Sequence, residues 1–144
     1  MGTAFAFPCS DNNHQVSIVG THLEDKFIDK IKFNKNIHPT LKSKIPNNVK
    51  LYKFKSFNNL LKDTDLIVLG VSSKGIYWAS EQLKKIKNNQ EILILTKGLN
   101  VNKKNRYEIY SDTVIDNPFI LIIKKGIISI ITGTNKDNTG DARL

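Results

Sequence analysis

The sequence has few or none of the features that mark disulfide-bonded, membrane-spanning or secreted proteins. It contains one cysteine, Cys9, so it can form neither an intramolecular disulfide nor a zinc site built from cysteines. No apolar run approaches the ~20 residues that a membrane-spanning helix needs. The start of the chain lacks the basic region and the small-residue cleavage site of a signal peptide. These absences favour a globular protein of the reducing cytoplasm, with no membrane partner.

Acidic residues are also scarce. The chain has 13 Asp and Glu against 22 Lys and Arg, which gives a net charge of +9. The lysines are interspersed with asparagine and isoleucine along the whole chain, as in "KKIKNNQ" (84–90), rather than gathered in one segment. A dispersed charge of this kind is typical of solvated surface. We therefore expect no nucleic-acid partner, whereas an anionic small ligand suits the sign of the charge.

Strand and helix patterns alternate along the 144 residues, which are enough for one hydrophobic core. Short β-branched or apolar runs predict strands over 14–20, 49–54, 65–71 and 91–96. Apolar residues at helical spacing predict helices over 23–33, 56–64 and 74–87, and a further helix is expected in "RYEIYSDTVIDN" (106–117). In the helix at 23–33 the expected apolar face includes Leu23, and Ser56 is the expected cap of the helix at 56–64. This alternation predicts an α/β domain with a parallel sheet and right-handed crossovers.

Small residues follow three of the predicted strands. They occur in "VGTH" (19–22), "GVSSKG" (70–75) and "LTKGLN" (95–100). In an open parallel sheet, ligands bind beyond the carboxyl ends of the strands, and small residues let them approach the backbone. Lys97 follows a buried-type strand, where an ammonium group can meet a phosphate or a carboxylate. The alternative is an ordinary turn lysine before Gly98.

Several segments in the same order resemble the N-terminal, NAD-binding domain of the NAD(P)-dependent glycerol-3-phosphate dehydrogenases. They are "GTA" (2–4), "NNHQV" (12–16), "DTDLIVLGVSS" (63–73) and "LTKGL" (95–99), and the likeness extends from Gly2 to about Asn100. The resemblance implies a Rossmann-like parallel sheet with helices on both faces. It also implies NAD or NADP as cofactor, and hydride transfer to or from a small phosphorylated substrate, glycerol 3-phosphate or dihydroxyacetone phosphate.

The resemblance assigns cofactor contacts to eight residues of this sequence. Gly2 and Thr3, at the start of the first helix, would lie under the pyrophosphate. Thr21 and His22, after the strand at 14–20, would border the adenosine ribose, and the residues after the strand at 65–71 would pass the nicotinamide side; these are Val71, Ser72 and Ser73. Lys97 would contact both the cofactor and the substrate.

The resemblance leaves the cofactor preference and the acid of the reaction open. Glu24 and Asp25 come slightly after the position where an acidic residue would contact the ribose, so NAD and NADP are not distinguished. The family's general-acid lysine belongs to a second, helical domain that these 144 residues do not include. We therefore predict no catalytic residue and no metal ligand, and the chain by itself is expected to be inactive.

The resemblance also implies a first strand and two glycines before Met1. A sheet without that strand would be open at its centre, with two unpaired ladders of backbone groups. We therefore expect an incomplete Rossmann-like domain over residues 1–112, completed by a homodimer or a complementing chain. Residues 113–144 are expected to form a divergent segment, partly strand-like, that ends in a flexible tail. The alternatives are a fragment of another two-domain NAD(P)-dependent dehydrogenase and a basic non-enzymatic binding module.

Overall fold

The computed structural model of the chain describes residues 1–84, 90–96, 99–101, 107–109 and 127–132. The helices are α1 (Gly2–Asp11), α2 (Asp25–Phe33), α3 (Phe57–Leu60) and α4 (Ile76–Lys84). The strands are β1 (Gln15–Gly20), β2 (Val49–Tyr52), β3 (Leu66–Gly70), β4 (Glu91–Ile94), β5 (Leu99–Val101), β6 (Tyr107–Ile109) and β7 (Ile127–Thr132). Short 3₁₀ turns flank α3 and precede α4.

Five of the strands form one parallel sheet in the order β2-β1-β7-β3-β4. The other two, β5 and β6, pair with each other in antiparallel fashion. The α/β class with a parallel sheet, predicted from the alternation of elements, is confirmed.

The centre of the sheet is occupied by β7. Its six residues pair with β1 on one side, from Gln15↔Ile127 to Gly20↔Thr132, and five of them pair with β3 on the other. The expectation of a sheet open at its centre is therefore wrong, because an apolar strand from late in the chain forms both ladders. Since β7 lies within the segment 113–144, the predicted boundary at residue 112 does not separate that segment from the sheet.

Helices cover both faces of the sheet. On one face α1 and α2 pack against alternate residues of the strands, including Val16, Val68 and Ile130. On the other face α3 and α4 pack against the intervening residues, including Ile67 and Ile131. Strands buried on both faces have few positions for polar side chains, which explains why "DLIVLGV" (65–71) is almost entirely apolar.

Three local expectations need correction. Leu23 precedes α2 and is 75% exposed, because the chain turns after β1 before the helix begins. Ser56 precedes α3 but makes no side-chain cap hydrogen bond. The segment predicted as a helix over 106–117 contains β6, whose pairing with β5 outweighs its local helical pattern. In the described ranges, no helix combines the length and apolar character needed to cross a membrane.

Candidate functional site

The carboxyl ends of β1, β7, β3 and β4 meet at one edge of the sheet, because these strands are parallel and adjacent. Helix α1 begins at the same edge. A Cβ added to Gly70, the last residue of β3, would lie 2.5 Å from the Cα of Gly2 and 2.8 Å from its nitrogen. Only glycine at position 70 allows the start of α1 to lie this close to the end of a central strand.

The first turn of α1 offers backbone N–H groups at this edge. The first four N–H groups of an α-helix have no partner within the helix, and together with the helix dipole they attract anions. Gly2 and Thr3 are both buried, Thr3 with 8% of its surface exposed. This donor set, with no side chain on Gly2 or Gly70, fits the pyrophosphate of a dinucleotide.

The chain turns sharply after β1. The Glu24 N–H donates to the Thr21 carbonyl at 2.9 Å, and the Thr21 N–H donates to the Glu24 carboxylate Oε2 at 3.3 Å. Thr21 is 7% exposed and Glu24 is 4% exposed. The backbone bond closes the turn, and the bond to Oε2 holds the carboxylate against the carboxyl end of β1, so an acidic group does stand at this strand end.

An aromatic cluster joins three of the loops that follow the strands. The ring of His22, after β1, lies 4.7 Å from the ring of Trp78 on α4. Trp78 in turn lies 4.8 Å from Phe54, which follows β2, and Phe54 stacks on Phe57 at 5.4 Å. His22 is exposed, while Trp78 and Phe54 are half-buried. The position of His22, predicted to border the ribose, is therefore fixed by contact with a residue on α4.

The loop after β3 is attached to the end of β4. The Thr96 hydroxyl donates to the Val71 carbonyl at 2.7 Å, and the Leu95 N–H donates to the Leu69 carbonyl at 2.9 Å. Val71 is buried, whereas the two serines that follow, Ser72 and Ser73, are half-buried and exposed. These bonds position the start of the "TKGL" segment.

The structure thus brings seven of the eight predicted cofactor residues to one sheet edge. Gly2 and Thr3 begin α1, and the others follow β1 and β3; Lys97 lies outside the described residues. Sequence analysis gave no role to Glu24, Thr96 or Trp78. In the sequence, Glu24 comes four residues after the end of the predicted strand, which is too late for a contact with the ribose. The turn after β1 brings its carboxylate back to the end of the strand. The one signal in the sequence was the number of residues between Gly2 and Glu24, which is typical of the acidic residue in a dinucleotide-binding unit.

Two other side chains that could take part in chemistry, those of Cys9 and His38, are buried in the fold. Cys9 is buried in α1, and burial raises the pKa of its thiol, which disfavours the nucleophilic thiolate. His38 is 6% exposed, and its Nδ1 accepts the N–H groups of Thr40 and Leu41. Among the described residues, no three His, Cys, Asp or Glu side chains are grouped so that they could hold a metal ion.

The sheet order and the helix start define a class. The core of a dinucleotide-binding α/β domain is a parallel sheet of strand order 3-2-1-4-5 with a helix N-terminus beside its central strand. The sheet order β2-β1-β7-β3-β4 matches this arrangement, with β7 in the central place that the first strand takes in that order. The sequence pattern of the NAD-dependent glycerol-3-phosphate dehydrogenase N-terminus matches residues 1–135, and the chain belongs to this family. The cofactor of the family is NAD or NADP.

A curated relative gives a second comparison. The NADP(+)-dependent glycerol-3-phosphate dehydrogenase of Archaeoglobus fulgidus is 28% identical over 99 residues. The aligned part is 69% of this chain but 29% of the relative, so the chain spans well under two thirds of that enzyme's length.

Proposed function

We propose that this chain is the cofactor-binding part of a glycerol-3-phosphate dehydrogenase, and that it binds NAD or NADP at the carboxyl edge of its sheet. The observation that carries the proposal is the close approach of Gly2 to Gly70, which places the N-terminus of α1 beside β3 without intervening side chains. Family membership supports the cofactor, and the size of the matched enzyme supports a role as one part of a longer assembly.

The residues at this edge would divide the cofactor between them. The first N–H groups of α1 would bind the pyrophosphate, and the loop after β1 would border the adenosine ribose. The segment Val71–Ser73, held by Thr96, would pass the nicotinamide. Lys97 would contact the phosphate of glycerol 3-phosphate or dihydroxyacetone phosphate, since an ammonium group suits a phosphate.

Binding alone does not complete the reaction. The cofactor supplies or accepts the hydride, and the substrate oxygen must gain or lose a proton as the hydride moves. No residue placed at this edge is assigned as that acid, which the family resemblance assigns to a second domain. We therefore expect the 144-residue chain to bind the cofactor and to show no turnover by itself.

A fluorescence titration tests the proposal. Trp78, the chain's one tryptophan, provides the emission that bound NADH quenches by energy transfer. We expect saturable quenching by NADH, and no oxidation of NADH when dihydroxyacetone phosphate is added. Absence of saturable binding by a chain that circular dichroism shows to be folded would contradict the proposal.

Lys97→Met tests the assigned substrate contact. Loss of a charge-assisted hydrogen bond should weaken glycerol 3-phosphate binding to the NADH complex about 10-fold or more. NADH binding itself should change much less, because the pyrophosphate contacts are backbone N–H groups on α1. Equal weakening of both ligands would place Lys97 on the cofactor instead. The variant Lys74→Met, at an exposed lysine that follows β3, is the matched control.

A further inference from the structure

The end of α2 and the hairpin that follows it expose three large apolar side chains. Phe33, the last residue of α2, is 94% exposed, more than any other large apolar side chain that the structure describes. Ile37 and Leu41, in the hairpin, are each 37% exposed. Single exposed apolar residues are ordinary, whereas three within one short segment indicate a surface that meets a partner.

Hydrogen bonds and core packing hold this hairpin in place. Ile37 pairs with Lys44 in an antiparallel bridge, and the Leu41 N–H donates to the His38 Nδ1 at 3.1 Å. Ile45, which follows the bridge, is 1% exposed and belongs to the core that α1 and α2 form with the sheet. The apolar side chains are therefore presented to solvent by a well-anchored backbone rather than by a frayed end.

Only positive charge accompanies these side chains in the sequence. Residues 30–50, here called the basic segment, contain six lysines and no Asp or Glu, although the whole chain has 13 acidic residues. The acid just before the segment, Asp29, is paired with Lys53 at 2.7 Å. All six lysines are exposed; they are Lys30, Lys32, Lys35, Lys42, Lys44 and Lys50. The basic segment thus combines exposed ammonium groups with exposed apolar side chains.

A partner for the basic segment has to offer both negative charge and an apolar phase. A second copy of the chain would bring the same lysines against it, and like charges repel across an interface. A nucleic acid would supply phosphates, but the aliphatic side chains of Ile37 and Leu41 cannot stack on its bases. An anionic membrane surface offers both, because apolar side chains enter the boundary between headgroups and acyl chains while lysines meet the anionic headgroups.

We propose that the basic segment binds the surface of membranes that contain anionic lipids. Phe33 enters the headgroup boundary, and the lysines lie against the lipid phosphates. Binding of this kind occurs at the surface and needs no spanning helix. The inference goes beyond the proposed function and does not depend on it, since every residue assigned to the cofactor lies outside residues 30–50.

Sedimentation with lipid vesicles tests the inference. The chain should bind vesicles of equal parts phosphatidylcholine and phosphatidylglycerol about 100-fold or more tightly than vesicles of phosphatidylcholine alone. Each lysine near an anionic surface raises the affinity about fivefold, so contact by about three of the lysines is sufficient for this ratio. Added salt should lower the affinity for the mixed vesicles, because it screens the attraction.

Phe33→Ser tests the apolar contribution. The affinity for mixed vesicles should fall about 10-fold, since the ring would no longer be removed from water by the lipid. Tyr77→Ser is the matched control, because it removes a 51% exposed ring from α4, which covers the other face of the sheet. That control should leave the affinity within about twofold, as expected for a surface substitution away from the contact.

A pair of lysine substitutions tests the charged contribution. Lys42→Gln combined with Lys44→Gln should lower the affinity for mixed vesicles about 20-fold, at about fivefold for each lysine. Lys62→Gln combined with Lys74→Gln removes the same net charge from exposed positions outside the basic segment. The second pair should lower the affinity by no more than about threefold, since charges farther than a Debye length from the surface are screened.

Several outcomes would overturn the inference: no sedimentation with mixed vesicles, equal affinity for phosphatidylcholine alone, or equal losses in the two lysine pairs. Binding to a single-stranded oligonucleotide that Phe33→Ser weakens, without binding to vesicles, would assign the segment to nucleic acid instead. Far-ultraviolet circular dichroism of each variant shows that it folds. Failure to bind NADH would contradict the proposed function alone, because vesicle binding is measured without the cofactor.

Discussion

The central position of β7 predicts a large stability cost for a small change in that strand. Ile130 is fully buried and contributes to the core between the sheet and helices α1 and α2. The substitution Ile130→Ala removes three carbon atoms, worth about 2.4 kcal/mol at ~0.8 kcal/mol each. The cavity left behind adds to this cost, so we expect the free energy of unfolding to fall by about 3–4 kcal/mol.

Urea unfolding followed by circular dichroism measures the effect. With an m value of about 2 kcal/mol/M, the transition midpoint should fall by about 1.5–2 M. Leu23→Ala is the matched control, because it removes a side chain of equal size that is 75% exposed. That control should change the free energy of unfolding by no more than about 0.5 kcal/mol.

One result would refute the reasoning. If Ile130→Ala shifts the midpoint no more than Leu23→Ala does, then Ile130 is not enclosed between the sheet and α1. The assignment of β7 to the centre of the sheet would then be wrong.

Two further predictions concern the edge of the sheet and the loop at 34–48. Gly70→Ala should destabilise the protein and weaken NADH binding, because the added Cβ would lie 2.5 Å from the backbone of Gly2. In Gly75→Ala the added Cβ would lie 3.2 Å from the Val71 side chain, so this control should lower the urea midpoint and the affinity for NADH by less. The pKa of His38 is lowered by burial and then by the positive charge of the amino terminus, from a usual value of 6.5. The stability that neutral His38 contributes should therefore be complete above pH 6.5 and be lost as the pH falls towards the lowered pKa. Urea midpoints of the unaltered chain should fall between pH 7.5 and pH 5.5 more than those of His38→Gln, and equal falls would contradict this assignment.

Local pattern was sufficient for most of the elements and for the strand ends that form the candidate site. The β-branched and apolar runs predicted β1 to β4 within a few residues, because short buried strands need those side chains on both faces. The residues at the carboxyl edge could also be found, since parallel strands bring their ends together wherever they lie along the chain. Gly2 and Thr3 were identified only through the family resemblance, because one glycine is no fingerprint by itself.

Tertiary structure decided which strand lies at the centre of the sheet and which side chains reach the site. The pattern "IISIIT" (127–132) indicates a strand, but nothing in it specifies β1 and β3 as partners more than 50 residues away. Glu24 reaches the end of β1 because a turn folds it back, and Thr96 holds the loop after β3 through one hydrogen bond. Periodicity reports how a segment is buried, whereas strand pairing and turn contacts depend on residues distant in the chain.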